Sequence, residues 1–305
     1  MVKNMKKKSN IAILLTVIAK ALVISSCKKE KEGPQENDEP ESLVKTLDLK
    51  DKQMDYLHFG NGEGRKLVIL PGVALKSVMS SAEAIVSAYQ TLAEDYDIYL
   101  FDHIRKEPEG YSIKDMADDT VSALKQLGLD HVNIMGVSMG GMVAQTITLN
   151  NPEMVDSLIL CSTASKISDS YKDVFENWIR LAQEKDLKGL MESFGEKVYT
   201  PSFYEQYKDI IISSGEGTTD TDYQNFITSV SAVKGFNVYD ELEKIKCPVL
   251  VLGAGLDQVL GVEGSLDIAD KLNCEYYIYE DHGHGVYDEA PDYLTRIKAF
   301  LDKLK

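Results

Sequence analysis

The chain has 305 residues, 44% of them apolar and 27% charged. That composition is ordinary for a globular protein and excludes a disordered, collagen-like or disulfide-scaffold chain. The length buries a sizeable core and predicts one large domain or a domain with an insertion. With 33 basic and 49 acidic residues the formal charge is −16, so charge does not recruit nucleic acid or anionic lipid headgroups as partners.

Residues 1–26 carry the lysines Lys3, Lys6, Lys7, Lys8 and Lys20 and no acid. The lysine cluster precedes an apolar run from Ile11 to Ala19, which resumes from Ala21 to Ile24. A basic flank before a short, interrupted apolar run predicts a secretory signal peptide rather than a spanning helix. The run ends in Ile24-Ser25-Ser26-Cys27, which resembles the bacterial lipobox. The resemblance implies that Cys27 is lipidated and becomes the first residue of the mature chain, an incidental cysteine after a plain signal peptide being the alternative. From Cys27 to Glu41 there is no aliphatic or aromatic residue, so residues 27–42 are expected to be a solvated acidic tether. Lys28 resembles the residue at this place in lipoproteins sent on to the outer membrane. The mixed Lys/Glu run resembles surface-export signals, a merely solvated charge run being the alternative. The expected location is therefore the bacterial cell envelope, with membrane attachment through acyl chains, more than one of which is needed for stable anchoring.

Beyond the tether, strands and helices alternate. Leu43–Leu49 and Gln53–Phe59 read as strands, and the glycine-rich stretch from Gly60 to Gly64 as a turn. The run from Lys66 to Leu70 is a short continuous apolar strand of the kind covered on both faces. There follow a helix near Ser81–Ala93, a strand Asp97–Phe101, a helix near Ser112–Leu127, a strand Val132–Val137, a helix Met139–Leu149 and a strand Val155–Cys161. Late in the chain Pro248–Leu252 and Cys274–Tyr279 read as strands and Ala290–Leu304 as a closing helix. Such alternation predicts an α/β fold, a mostly parallel sheet with helices on both faces.

The alternation stops between Ser162 and Ile245. Tyr171, Phe175, Trp178, Ile179 and Ala182 fall at helical spacing, as do Leu187, Leu190, Met191 and Phe194. The same spacing recurs at Phe203, Tyr207, Ile210 and Ile211, and at Tyr223, Phe226, Ile227 and Val230. Consecutive amphipathic helices inside an α/β sequence predict an inserted helical cap over about residues 165–243. Most of its aromatics should form the cap's own core, and a minority should face the sheet and line a pocket. With Cys27 set aside, Cys161, Cys247 and Cys274 remain, an odd number that argues against a disulfide framework. Cys247 and Cys274 each open a predicted strand, so a bridge between neighbouring strands stands as the alternative to buried free thiols.

One segment carries chemistry. The strand ending at Val137 runs into Gly136-Val137-Ser138-Met139-Gly140 and then a helix. Gly-x-Ser-x-Gly between a strand and a helix is a sharp turn that lifts a serine hydroxyl above the sheet, with glycines where the turn is crowded. The amide of Met139 then lies at a helix amino terminus, where donors are unpaired and the dipole favours negative charge.

Here the chain resembles the α/β-hydrolase superfamily, from about residue 43 to residue 305 and including the position of the cap. The resemblance implies a serine nucleophile at Ser138 and an oxyanion hole made by the backbone amides of Met139 and Val73. The loop Leu70-Pro71-Gly72-Val73 has Pro71 where the family usually has histidine, a change that leaves the Val73 amide in place. The strand Pro248–Leu252 leads to Asp257, the family's acid position, and Gly283-His284, with Glu289 and Pro291 beyond it, matches the family's histidine pattern. His284 is thereby favoured as base over its neighbour His282, although which imidazole reaches the serine is a matter of geometry. His58, His103 and His131 lie in or beside strands and read as structural. The pair Asp102-His103 lacks a second ligand cluster, so no metal or other cofactor is expected.

The expected function is a capped serine hydrolase acting on a carboxylic ester or lactone through an acyl-enzyme. Dehalogenases and epoxide hydrolases of the superfamily use an aspartate nucleophile, which serine at position 138 disfavours. The motif is also similar to those of enol-lactonases, perhydrolases and carbon–carbon bond hydrolases. A non-catalytic lipoprotein that captures a small ligand is the rival class, since fold alone does not decide activity. Oligomeric state is not legible.

Overall fold

In the computed structural model, residues 42–62 and 64–304 are described. The signal segment, Cys27 and nearly all of the expected tether lie outside them. No helix among the described residues is long and apolar enough to cross a membrane.

Eight strands form one sheet: β1 (Val44–Leu49), β2 (Lys52–Gly60), β3 (Arg65–Leu70), β4 (Tyr96–Ile104), β5 (Val132–Val137), β6 (Val155–Cys161), β7 (Val249–Ala254) and β8 (Glu275–Tyr279). Their order is β1-β2-β4-β3-β5-β6-β7-β8. β1 and β2 pair antiparallel, as do β2 and β4, and from β4 to β8 all pairs are parallel. Continuous apolar sequence explains the central strands: every residue of β5 and β7 is buried, as helices on both faces require. Separate apolar clusters lie on the two faces, one around Val68, Ile134, Leu158 and Val251, the other around Leu67, Ile69, Met135 and Leu252, which is the two-residue alternation of a strand.

The chain leaves β3 toward β4 on one side and reaches β5 on the other. Order therefore reverses between β3 and β5, and the loops leaving their carboxyl ends part there to open a crevice. Those loops hold Val73 and Ser138.

Four helices stand between β6 and β7: Lys172–Gln183, Leu187–Val198, Pro201–Ser214 and Asp220–Lys234. Their starts are written locally. Asp186 and Thr200 accept from the amides of Gly189 and Phe203, and Thr219 forms a reciprocal capping box with Asp222. Trp178 is their centre, with ring centroids 6.0 Å from Phe175, 5.0 Å from Phe194 and 6.5 Å from Phe226.

Three departures from the sequence reading concern longer helices. The helix expected near Ser81–Ala93 is broken at Tyr89 into Ala82–Ala88 and Gln90–Ala93; Tyr89 leaves helical geometry there and its side chain lines the site cavity. The closing helix starts later, at Tyr293, because Pro291 disfavours helical geometry at the residue before it. The helix Val262–Leu272, between β7 and β8, has no counterpart in that reading. It begins at Gly261 with no side-chain cap, and Gly264 lies in its first turn, so the usual start signals are missing. A β-carbon on Gly264 would stand 2.8 Å from that of Ala164, so close packing dictates the glycine. Cys161, Cys247 and Cys274 are free thiols.

Candidate active site

The turn after β5 is held in an unusual conformation. Ser138 has φ 52° and ψ −120°, a region that costs a non-glycine residue on the order of 1–3 kcal/mol unless its surroundings impose it. Here they do. Its amide donates to the Cys161 carbonyl at 2.9 Å, and its own carbonyl accepts from the Gly141 amide at 2.9 Å and the Thr163 hydroxyl at 2.7 Å. A β-carbon on Gly140 would collide with the Leu70 carbonyl oxygen, and one on Gly72 would come within 3.0 Å of the Ser138 β-carbon. These two glycines let the loop after β3 press against the serine turn. Proline at position 71 does not prevent that approach.

The acid lies on the loop after β7. Asp257 Oδ1 accepts from the amides of Val259 at 2.8 Å and Leu260 at 2.9 Å, and Oδ2 lies 2.8 Å from His284 Nδ1. Asp257 and His284 are only 7% and 4% exposed, so water scarcely competes for these bonds. Burial pushes the Asp257 carboxyl up, but His284 and the amides of Leu260 and Val259 outweigh it and hold the group below the ordinary carboxylate range.

His284 Nε2 lies 2.9 Å from Ser138 Oγ. The three side chains therefore form one line of hydrogen bonds. It requires the tautomer in which Nδ1–H donates to Asp257 and Nε2 accepts the serine proton.

His284 is held from the cap side. The Gly285 amide donates to the Val198 carbonyl at 2.7 Å, and Glu289 accepts from the Thr200 amide and hydroxyl at 3.0 and 2.7 Å. His282 points elsewhere: its ring packs edge-on to Tyr279 at 5.4 Å, and its carbonyl accepts from Leu256 at 3.0 Å. His58 bonds Asp97 at 2.7 Å and stacks on Tyr99, and His131 lies 3.2 Å from Asp156. The His103 amide donates to Asp102. Among the described residues no group of three or more His, Cys, Asp or Glu side chains is placed to hold a metal ion.

A cavity of about 260 Å³ opens over Ser138 and His284. Val73 lines it beside Pro71 and Gly72, and Met139 is the first residue of the helix Met139–Asn150, where amides have no partner within the helix. Ile85, Leu100, Phe175, Trp178 and Phe194 give the cavity apolar walls. Tyr89 and Tyr287 also line it and were invisible to sequence reasoning, as was Thr163. Their only signal is adjacency: Tyr287 lies three residues beyond His284, and Thr163 two beyond the end of β6.

Residues 67–291 match a family model described as the alpha/beta hydrolase fold. A protein named for carbamate hydrolysis (RutD) in Rhizobium rhizogenes is 25% identical over 223 residues, covering 70% of this chain and 85% of that one. The 3-oxoadipate enol-lactonase 2 of Acinetobacter baylyi is 23% identical over 239 residues, covering 77% and 85%. A thermophilic esterase from Thermogutta terrifontis superposes with a TM-score of 0.70 at 20% identity, covering 86% of this chain and 97% of that one.

Proposed function

The chain belongs to the α/β-hydrolase fold family, and from that premise we propose that it hydrolyses carboxylic esters through an acyl-enzyme formed on Ser138. The observation that carries the proposal is the unbroken line from Asp257 through His284 to the Ser138 hydroxyl, with links of 2.8 and 2.9 Å. His284 takes the serine proton as Oγ attacks the carbonyl carbon, and Asp257 stabilises the imidazolium that forms. The amides of Val73 and Met139 meet the oxyanion, and His284 then protonates the departing alcohol. Water, deprotonated by the same imidazole, releases the acid and restores the serine.

The cavity supports an uncharged acyl group, since no Asp, Glu, Lys or Arg among the described residues lines it. Lactone and carbamate carbonyls, named for two of the relatives, are attacked by the same chemistry. A fluorophosphonate probe tests the reading against a vestigial binding protein. Labelling of the wild type but not of Ser138→Ala is the expected result, and no labelling together with no turnover of activated esters refutes it. A panel of p-nitrophenyl esters of increasing chain length then reads the acyl preference. We also propose that the enzyme is tethered to the cell envelope through lipid on Cys27, on the basis of the lipobox-like sequence before it.

A further inference from the structure

The loop that carries the Val73 amide has little backbone pairing to hold it. Among the described residues, positions 72–76 make no backbone–backbone hydrogen bond. Gly72 presses on the serine turn at the start of the loop. At the far end the Ser77 hydroxyl donates to Asp102 Oδ2 at 2.5 Å. Ser77 Oγ also accepts from the Met79 amide at 3.2 Å, which caps the short 3-10 helix Val78–Ser81. Lys76 ties the loop to the cap, its ammonium donating to the Glu216 carbonyl at 2.8 Å; Ser77 ties it to the sheet.

β3 and β4 run parallel with Ile69 opposite Leu100, so Asp102 comes level with the first residues of this loop. Its Oδ1 accepts from the His103 amide at 2.8 Å, so both carboxylate oxygens are engaged. The segment that follows is fastened in turn. The Arg105 amide donates to the Gln53 carbonyl at 2.8 Å. Asn225 donates to the Arg105 carbonyl at 3.0 Å and accepts from the Glu107 amide at 3.0 Å. The Ser229 hydroxyl lies 2.9 and 3.0 Å from the two carboxylate oxygens of Glu107, and both residues are buried. Asn225 and Ser229 belong to the cap helix Asp220–Lys234. Asp102 is therefore rooted in sheet and cap together, whereas Ser77 ends a loop with no ladder of its own. The triad uses neither residue.

We propose that Asp102 is a positioning residue: through the Ser77 hydroxyl it fixes the loop after β3, and with it the Val73 amide that meets the oxyanion. This rests on the ester-hydrolase reading above. A hydroxyl held by a carboxylate at this distance makes a charge-assisted bond, stronger than one between neutral groups. An oxyanion donor has to be in place before charge develops, because its advantage is that nothing reorganises at the moment of reaction. Pro71 opens the loop without a backbone donor, which leaves the far end as the place to anchor it.

The test is steady-state hydrolysis of p-nitrophenyl butanoate by the wild type and variants, each well below its unfolding transition. Asp102→Ala should lower kcat about tenfold, less than the roughly hundredfold to thousandfold loss when a donor is removed outright. KM should stay within about twofold, because the donor acts on the transition state. Ser77→Ala should behave alike, and Ser77→Thr, which keeps the hydroxyl, should restore most of the rate. The double variant should be no slower than the slower single, as for two residues that act through one bond. Asp102→Ala leaves Ser77 able to accept from the Met79 amide, so its effect is not the loss of that cap. Unchanged kcat in Asp102→Ala, a change confined to KM, or single losses that multiply would overturn the proposal. Should Asp102→Ala not fold, Asp102→Asn decides by the same criteria, with a loss of about threefold as the charge leaves the bond. An active wild type with indifferent variants sinks this proposal alone. A wild type that turns over no activated ester sinks the hydrolase reading, and this one with it.

Discussion

Glu289 reaches across to Thr200 and accepts from both its amide and its hydroxyl. Thr200 is the N-cap of the cap helix Pro201–Ser214, and Glu289 lies five residues beyond His284. One carboxylate therefore fastens the cap to the loop that carries the imidazole. The glutamate that identified His284 in the sequence has a mechanical reason to be there.

Replacing Glu289 with glutamine puts an amide donor where two donors already point. Stability should fall by about 1–3 kcal/mol, the usual cost of leaving buried donors unmatched, read as a lower denaturant midpoint. Turnover should fall roughly tenfold to a hundredfold, because small misplacements of a reacting group are expensive. A variant with full turnover would show that the clamp does not position His284.

Ser138→Ala and His284→Ala should each reduce kcat toward the uncatalysed rate, a loss on the order of a million-fold in comparable triads. His282→Ala should leave most of the activity, because the contact from residue 282 to Leu256 is made by its backbone. Steady-state rates on one activated ester distinguish the three. A crippled His282→Ala beside an active His284→Ala would reverse the assignment of the base.

Two buried carboxyls should make stability depend on pH with opposite signs. Asp257 is held below its ordinary value of 3.8 in the folded state, so its contribution is present above about pH 4 and is lost as acid titrates the folded group. Asp288 is raised from 3.8 to about 7, so the folded state binds the extra proton. Its contribution is present below about pH 4 and is lost as pH rises toward 7. Urea denaturation across pH 3–8 should lose at most about 1.4 kcal/mol per pH unit from Asp288 in that interval. Asp288→Asn should flatten that part of the curve and leave the acid limb unchanged.

Gly140→Ala would drive a methyl group into the Leu70 carbonyl. Backbone cannot yield as a flexible side chain does, so the cost should be about 3 kcal/mol or more. Thermal unfolding measures it, and a variant within a degree of wild type would show that the β3 loop does not press on the serine turn.

Cys27→Ser should leave the fold and any hydrolase activity intact and move the protein from the membrane fraction to the soluble one. Retention with the membrane would refute attachment by acyl chains.

Much of the architecture is legible without coordinates because its signals are local. Continuous apolar runs mark β3, β5 and β7, and apolar residues at helical spacing mark the helices Lys172–Gln183 and Asp220–Lys234. The helix Val262–Leu272 escapes such reading because its first turn is shaped by contact with Ala164 rather than by a cap. Tyr89 likewise breaks a helix that periodicity alone would continue.

The chain itself marked the candidate site residues: a serine between glycines after a strand, an aspartate after a later strand, and a histidine with its glutamate. Each of those signals spans a few positions and follows from backbone sterics and alternation. Only the tertiary structure decided which imidazole meets Ser138, and that Asp288, Tyr199 and Tyr287 share a space beside it. Those relations join positions up to 146 residues apart. They depend on where the sheet order reverses and how the cap sits, which no short stretch of sequence encodes.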